Sequence, residues 1–180
     1  MRIELKNSGV VFDKAAHTYE LNGTQLSGIT EMLHRQLFPD EFKDIPWHLV
    51  EAAGEYGTQV HQSIEEFDSH WDNDGTQEVQ DYIALCKENG LVHEASEYNV
   101  TDCQHWSSNI DKVYRTADDT FDLGDIKTFS AMTPQKLAKA RWQLSIYACL
   151  FEMQNPDAKV GRLFILHIRN KQKKDGTFDY

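Results

Sequence analysis

The sequence predicts a single α/β domain with a mixed central sheet flanked by helices and a small N-terminal β-hairpin. Three observations lead there. The chain has 180 residues of which 40% are hydrophobic, enough for one core and too few for two full domains. Apolar side chains recur with a helical period between about residues 28 and 89 and then alternate across three successive runs. A long capped helix then separates those runs from one last alternating segment, the order expected of a mixed sheet covered by helices.

Taken in order, Val10-Val11-Phe12 and His17-Thr18-Tyr19-Glu20-Leu21 read as a hairpin closed near Asp13-Lys14 and followed by a tight turn at Asn22-Gly23. It forms a lid on the core. Helices follow at about 28–37, 47–69 and 76–89; the first stops before Phe38-Pro39 and the last is capped at Asn89-Gly90. Strands come next near 92–100, 104–115 and 120–127. Thr133 as N-cap and Pro134 at the first helical position open the long helix, which Asn155-Pro156 closes. Its apolar stripe is Leu137, Ala140, Leu144, Tyr147 and Phe151, so Tyr147 belongs mainly to the core with only its hydroxyl near a cleft. Val160 to Arg169 is the last strand. The divisions are thus 1–25 hairpin, 26–90 helices, 91–170 core and 171–180 tail.

No apolar run approaches a membrane span and the N-terminus is not a signal peptide, so a cytoplasmic protein is expected. Cys86, Cys103 and Cys149 are widely spaced, which suggests core thiols, Cys149 on a packed helix face, and neither a disulfide framework nor a zinc site. A formal net charge of -11 argues against a surface that coats nucleic acid throughout. The cations nevertheless gather late, at Lys136, Lys139, Arg141, Arg162 and Arg169, with Lys171, Lys173 and Lys174 forming a solvated tail.

The chemistry concentrates in Phe121-Asp122-Leu123-Gly124-Asp125-Ile126-Lys127-Thr128, where alternation puts Asp125 and Lys127 on one strand face. Alone, Asp-x-Lys is weak evidence, because on a solvated strand face it is merely a surface pair. Upstream, Ser107-Ser108-Asn109-Ile110-Asp111-Lys112-Val113-Tyr114 reads as a partner strand, and a turn through Ala117-Asp118-Asp119-Thr120 sets Asp111 beside Asp125. Adjacent carboxylates repel, so without a cation one is protonated or displaced, and removing the Asp125 charge should relieve the strain. Mg2+ or Mn2+ resolves the conflict through oxygen ligands. Cutting a phosphodiester needs that cation to activate water and offset phosphoryl charge, and a positive group such as Lys127 to hold or deprotonate the water. In the helix Gly57 to Phe67, His61 lies one step off the stripe Val60, Ile64 and Phe67, a place that by itself favours a histidine bonded to a carbonyl over a ligand.

Gly57 to His61 on a helix, then Asp111, then Asp125 to Lys127, then Gln143 to Tyr147 on the next helix resembles, in order and spacing, the RecB-like branch of the PD-(D/E)XK nuclease superfamily. The pattern spans about residues 9 to 168. The resemblance implies a restriction-endonuclease-like core in which His61, Asp111, Asp125 and the Ile126 carbonyl hold the metal and Lys127 is the catalytic lysine. It implies that Gln143 and Tyr147 face the DNA path, with Lys139 and Arg141 adding positive charge there. Leu26 to Leu33 resembles the Ser-Val-Thr helix start of phage-encoded and mitochondrial genome-maintenance exonucleases, with Ser27 and Thr30 near phosphates; both serve equally as helix N-caps. Glu97 falls where many members carry a glutamate on the first core strand and is a candidate second metal ligand or supporting residue. Where relatives carry a glycine before Ile-Asp, this chain has Ser108-Asn109, and it lacks the four cysteines of the iron-sulfur relatives. The function implied is a Mg2+- or Mn2+-dependent DNA exonuclease for phage or prophage recombination or end processing, in a bacterial or phage-infected cell, with a recombination protein or a second copy as partner. The alternatives are a structure-specific or restriction-type endonuclease, and a non-cutting nucleic-acid- or protein-binding module on the same fold.

Overall fold

The structure is a computed structural model that describes residues 2–169, 171–172 and 178–179. In chain order its elements are β1 (Val11–Asp13), β2 (Thr18–Leu21), β3 (Thr24–Gly28), α1 (Ile29–Leu37), α2 (Trp47–His70), α3 (Gln77–Asn89), β4 (Val92–Thr101), β5 (Trp106–Arg115), β6 (Phe121–Lys127), α4 (Pro134–Gln154), β7 (Val160–His167), β8 (Lys171–Gln172) and β9 (Phe178–Asp179). Strands β1 to β7 form one open mixed sheet in the order β1-β2-β3-β5-β6-β7, with β4 on the other edge of β5. The pairings β3/β5 and β6/β7 are parallel and the rest antiparallel. Short turns join the antiparallel neighbours, whereas the parallel step from β6 to β7 uses α4 as its crossover.

Helices cover both faces. On one, Ile29 and Leu33 of α1 and Leu144, Tyr147 and Phe151 of α4 pack on Val100, Ile110, Val113, Phe121 and Leu123. On the other, Val60 and Ile64 of α2 and Val79 and Tyr82 of α3 pack on Tyr114, Ile126 and Leu166. Local signals account for the helix ends: the Thr133 side chain accepts the Lys136 amide at the start of α4, and Gly90 closes α3 in a left-handed conformation. No helix among the described residues is long and apolar enough to cross a membrane.

Three expectations change. Asn22 and Gly23 both take positive φ, the geometry of a two-residue hairpin turn, and they return the chain into β3. The expected lid is therefore a three-strand meander built into the main sheet, and the segment expected to open the helical region begins as a strand. Leu26 alone is buried in β3, too faint an alternation to read. Secondly, Cys103 and Cys149 are exposed and Cys86 half-buried; the buried face of α4 runs through Gln143, Leu144, Tyr147, Leu150 and Phe151, and Cys149 falls opposite it. Lastly, the expected tail contains β8, which pairs with β9, while Lys173 and Lys174 lie outside the described residues.

One edge of β5 pairs with β4 along its length; the opposite edge is divided between β3, at Trp106 and Ser107, and β6, from Lys112 to Arg115. The ladder to β6 ends at Lys112↔Gly124, and there β5 stops alternating. Asp111 and Lys112 both reach α2, at His61 and Asp68, although neighbours on a regular strand face opposite ways. Across from this break, Glu97 of β4 takes φ 48°, the left-handed region unusual in a strand. Lys112, 2% exposed, donates to Asp68 at 2.6 Å and Ser96 at 2.7 Å, and Tyr82 donates to the same carboxylate. Truncating Lys112 leaves Asp68 buried without its counter-charge, so Lys112→Ala should lose about 3 kcal/mol or more in urea unfolding. A loss below about 1 kcal/mol would show that this pair does not hold the kink.

Candidate metal centre

Gly57 explains how α2 comes within reach of the end of β6: a side chain at this position would meet the Thr128 hydroxyl at 3.3 Å. One turn later His61 Nε2 lies 3.3 Å from the Ile126 carbonyl oxygen and 3.8 Å from Asp111 Oδ2, while its Nδ1 lies 3.8 Å from Glu97 Oε1. His61, Glu97 and Asp111 each offer one ligand atom, all within 4.8 Å of one another. Asp111 Oδ2 accepts the Ile126 amide at 2.7 Å; where the β5/β6 ladder has ended, a side chain takes the backbone donor. The contact to the Ile126 carbonyl is the one expected of a histidine bonded to a carbonyl, whereas the ligand reading needs Nε2 without its proton.

Asp125 is fully buried, and Lys127 Nζ lies 2.7 Å from both its carboxylate oxygens. The ammonium donates to Oδ1, whereas Oδ2, equally near but poorly aligned, has no hydrogen bond among the described residues. Burial pulls the Lys127 pKa down, but Asp125 and then Asp111 outweigh it and hold it above the ordinary lysine value. Burial pushes Asp111 up to about 6 against the opposing pull of His61, with the Asp125 charge adding to the rise. His61 is lowered by burial but raised more by Asp111 and Glu97, and ends above the ordinary imidazole value. Burial raises Glu97, but the His61 contact outweighs it and leaves Glu97 below the usual carboxylate range.

Beside this cluster is a cleft of about 220 Å³ whose walls include Thr30, Glu41, Phe42, Lys127, Lys136, Lys139 and Gln143. The cleft-facing stripe of α4 is Lys136, Lys139, Ala140 and Gln143. Arg141 is exposed one step off that stripe and outside the cleft wall. Gln143 donates to the Tyr147 hydroxyl at 2.7 Å and sits 3.5 Å from Thr30 Oγ1; the Tyr147 hydroxyl also meets Ser108 Oγ at 3.0 Å. Tyr147, 1% exposed, is thus a core residue that positions Gln143 rather than one facing a substrate. Ser27 is a β3 residue paired with Trp106, outside the cleft wall, and the N-cap of α1 is Gly28 with no side-chain cap bond, so neither Ser27 nor Thr30 caps the helix.

Sequence reasoning missed Glu41. It lies in the segment joining α1 and α2, which carries no periodicity, and its nearly buried carboxylate pairs with Lys139 and sits 3.4 Å from His34. The lysine expected to face a phosphate already holds an internal anion. No family model, curated protein or solved structure matches the chain.

The residues suit a divalent cation. They combine the His61 imidazole, the Glu97 and Asp111 carboxylates and the nearby Ile126 carbonyl, while Asp125 is held by Lys127 and falls outside that group. The expected relief from removing the Asp125 charge is revised, because Lys127 would lose its partner; Asp111 is the strained carboxylate. In EDTA at about pH 8, Asp111→Asn should melt at or above the parent, whereas Asp125→Asn should lose about 3 kcal/mol. The reverse order in thermal scans would overturn this division of charge.

Without metal, the raised pKa values of His61 and Asp111 mean that these two groups hold more protons in the folded protein than in the unfolded chain. Their contribution is fully present below the unfolded values and is lost as pH rises through about 6 for Asp111 and above the ordinary imidazole value for His61. Cation binding needs the same groups deprotonated. The rise in melting temperature produced by Mn2+ should therefore grow from about pH 5 to pH 8 and change less steeply in His61→Ala, where Asp111 still competes for a proton; a pH-independent rise in the parent would rule out a proton-competing site.

Proposed function

We propose that the chain is a Mg2+- or Mn2+-dependent deoxyribonuclease with a restriction-endonuclease-like core of the RecB-like PD-(D/E)XK type, acting as an exonuclease in phage-type recombination or end processing. The observation that carries this reading is the convergence of His61, Asp111 and the Ile126 carbonyl at the end of β6, with Glu97 across from Asp111 and the Asp125–Lys127 pair on the same strand. The cleft supplies the remaining support. Lys127, Lys136 and Lys139 line it in a protein of net charge -11, with Lys139 held by Glu41 until a phosphate displaces that carboxylate, an arrangement compatible with a local nucleic-acid groove rather than a coating surface.

His61, Asp111, Asp125 and the Ile126 carbonyl would hold the cation, with Glu97 beside them. When bound, it supplies water activation near neutral pH and offsets charge on the non-bridging oxygens. Lys127 stays protonated beside Asp125, so it acts as a cation that orients the attacking water and the phosphoryl group rather than as a base. Water would attack phosphorus in line and give its proton to solvent, as the bond to the leaving ester oxygen breaks and that oxygen takes up a proton from solvent. Gln143, locked by Tyr147, presents its amide to the strand, and Lys139 engages a phosphate when Glu41 yields its place.

Asp125→Ala and Lys127→Ala should each abolish cleavage of linear DNA in Mn2+ while remaining folded. They should differ in calorimetric titration: Asp125→Ala weakens Mn2+ binding, and Lys127→Ala retains it and loses turnover. Full activity in either purified variant would remove the nuclease reading.

A further inference from the structure

A second cleft opens on the other side of the metal centre. It measures about 260 Å³ and is walled on one side by Phe12, Lys14 and His17 of the β1–β2 hairpin, and on the other by the α2 face from Gly54 through Thr58 and His61 to Glu65. Glu97 closes its inner end, and His61 borders this cleft and the α4 cleft alike. A strand held over the metal centre from the α4 side therefore continues into the hairpin cleft.

The chemistry of the walls selects what part of the strand fits. Phe12 stacks on Tyr19 with centroids 4.7 Å apart and planes 23° apart, and His17 stands edge-on to Phe12 at 5.3 Å and 84°. His17 is held there by a left-handed backbone, φ 53°, and Tyr19 beneath is buried. This is a preset aromatic wall. Lys14 is 3.6 Å from Glu65 and His61 is 3.8 Å from Glu97, so both cations of the cleft face a carboxylate. Such a cleft has little net charge to hold a phosphate but accepts a neutral π-face, and its volume falls below the roughly 300–1,000 Å³ of pockets for drug-sized ligands, a size suited to one base. Opposite the aromatic wall, a side chain at Gly54 would meet nothing within 4 Å, which leaves room for a flat ring.

We propose that the cleft between the N-terminal hairpin and α2 is a nucleobase-stacking subsite, which takes the base of the nucleotide flanking the scissile phosphate against Phe12 and His17. This rests on the phosphodiesterase reading of the metal centre. It gives the meander a task in substrate positioning that its part in the sheet does not require.

The test uses a single-stranded oligodeoxynucleotide in which one abasic nucleotide is moved along the strand. Binding is read by fluorescence anisotropy in Ca2+, and cleavage in Mn2+. The parent protein should lose about tenfold in affinity when the abasic nucleotide reaches one particular position, as expected for the loss of one stacked base. Phe12→Ala, which strips the wall, and Gly54→Trp, which fills the cleft from the opposite side, should bind the intact strand about tenfold more weakly and show no position dependence. A flat abasic profile in the parent, no binding at all, or variants that keep the parent's profile would each overturn the subsite. If the parent cleaves but the profile is flat, the subsite fails and the nuclease reading stands. If the profile has its single minimum but Mn2+ gives no cleavage, the nuclease reading fails and the stacking subsite stands. Gly54→Ala, too small to fill the cleft, should bind as the parent does, and equal weakening by this change would also overturn the assignment.

Discussion

The hydrogen bond from the Ile126 amide to the Asp111 carboxylate is the contact on which the rest of the site depends. It occurs where the β5/β6 ladder stops, so β6 is steered by a side chain over its last residues. That bond turns the Ile126 carbonyl toward His61 and leaves Asp125 and Lys127 together beside the α4 cleft. It also keeps Asp111 buried, which raises its pKa and makes it the most strained charge in the cluster. Fold and chemistry meet in a single 2.7 Å contact.

Much of this was legible in advance, for identifiable reasons. Alternation around Asp125 and Lys127 marked β6, the Thr133-Pro134 pair marked the start of α4, and Gly90 marked the end of α3, because each is a local signal with a local cause. Glycine before His61 had a cause as well, the close approach of α2 to Thr128. What stayed hidden depends on tertiary contacts. β3 is recruited by pairing with β5, Glu41 is fixed by Lys139 from α4, and the left-handed backbone of Glu97 answers a break in the strand opposite. Asp111 and Lys112 read as an ordinary alternating pair, and only the folded chain shows them facing one way.

The two clefts are unlike in charge, and that difference follows from topology. The α4 cleft draws lysines from a helix that crosses the sheet face. The hairpin cleft is bounded by α2, whose Glu65 neutralises Lys14. Under the proposed function, a polyanion crossing between them would meet lysines on one side of His61 and aromatic surface on the other, and charge would orient it.

The kink in β5 has a consequence for how this protein tolerates random substitution. Neighbouring residues serve two polar clusters, Asp111 in the candidate metal centre and Lys112 in the buried network of Asp68, Ser96 and Tyr82. Any change that relaxes the second lets the strand resume regular alternation and swings the first carboxylate off His61. A mutational screen scored on function alone would therefore trace an outline larger than the centre itself, reaching to the far end of α2 through residues that never approach a ligand.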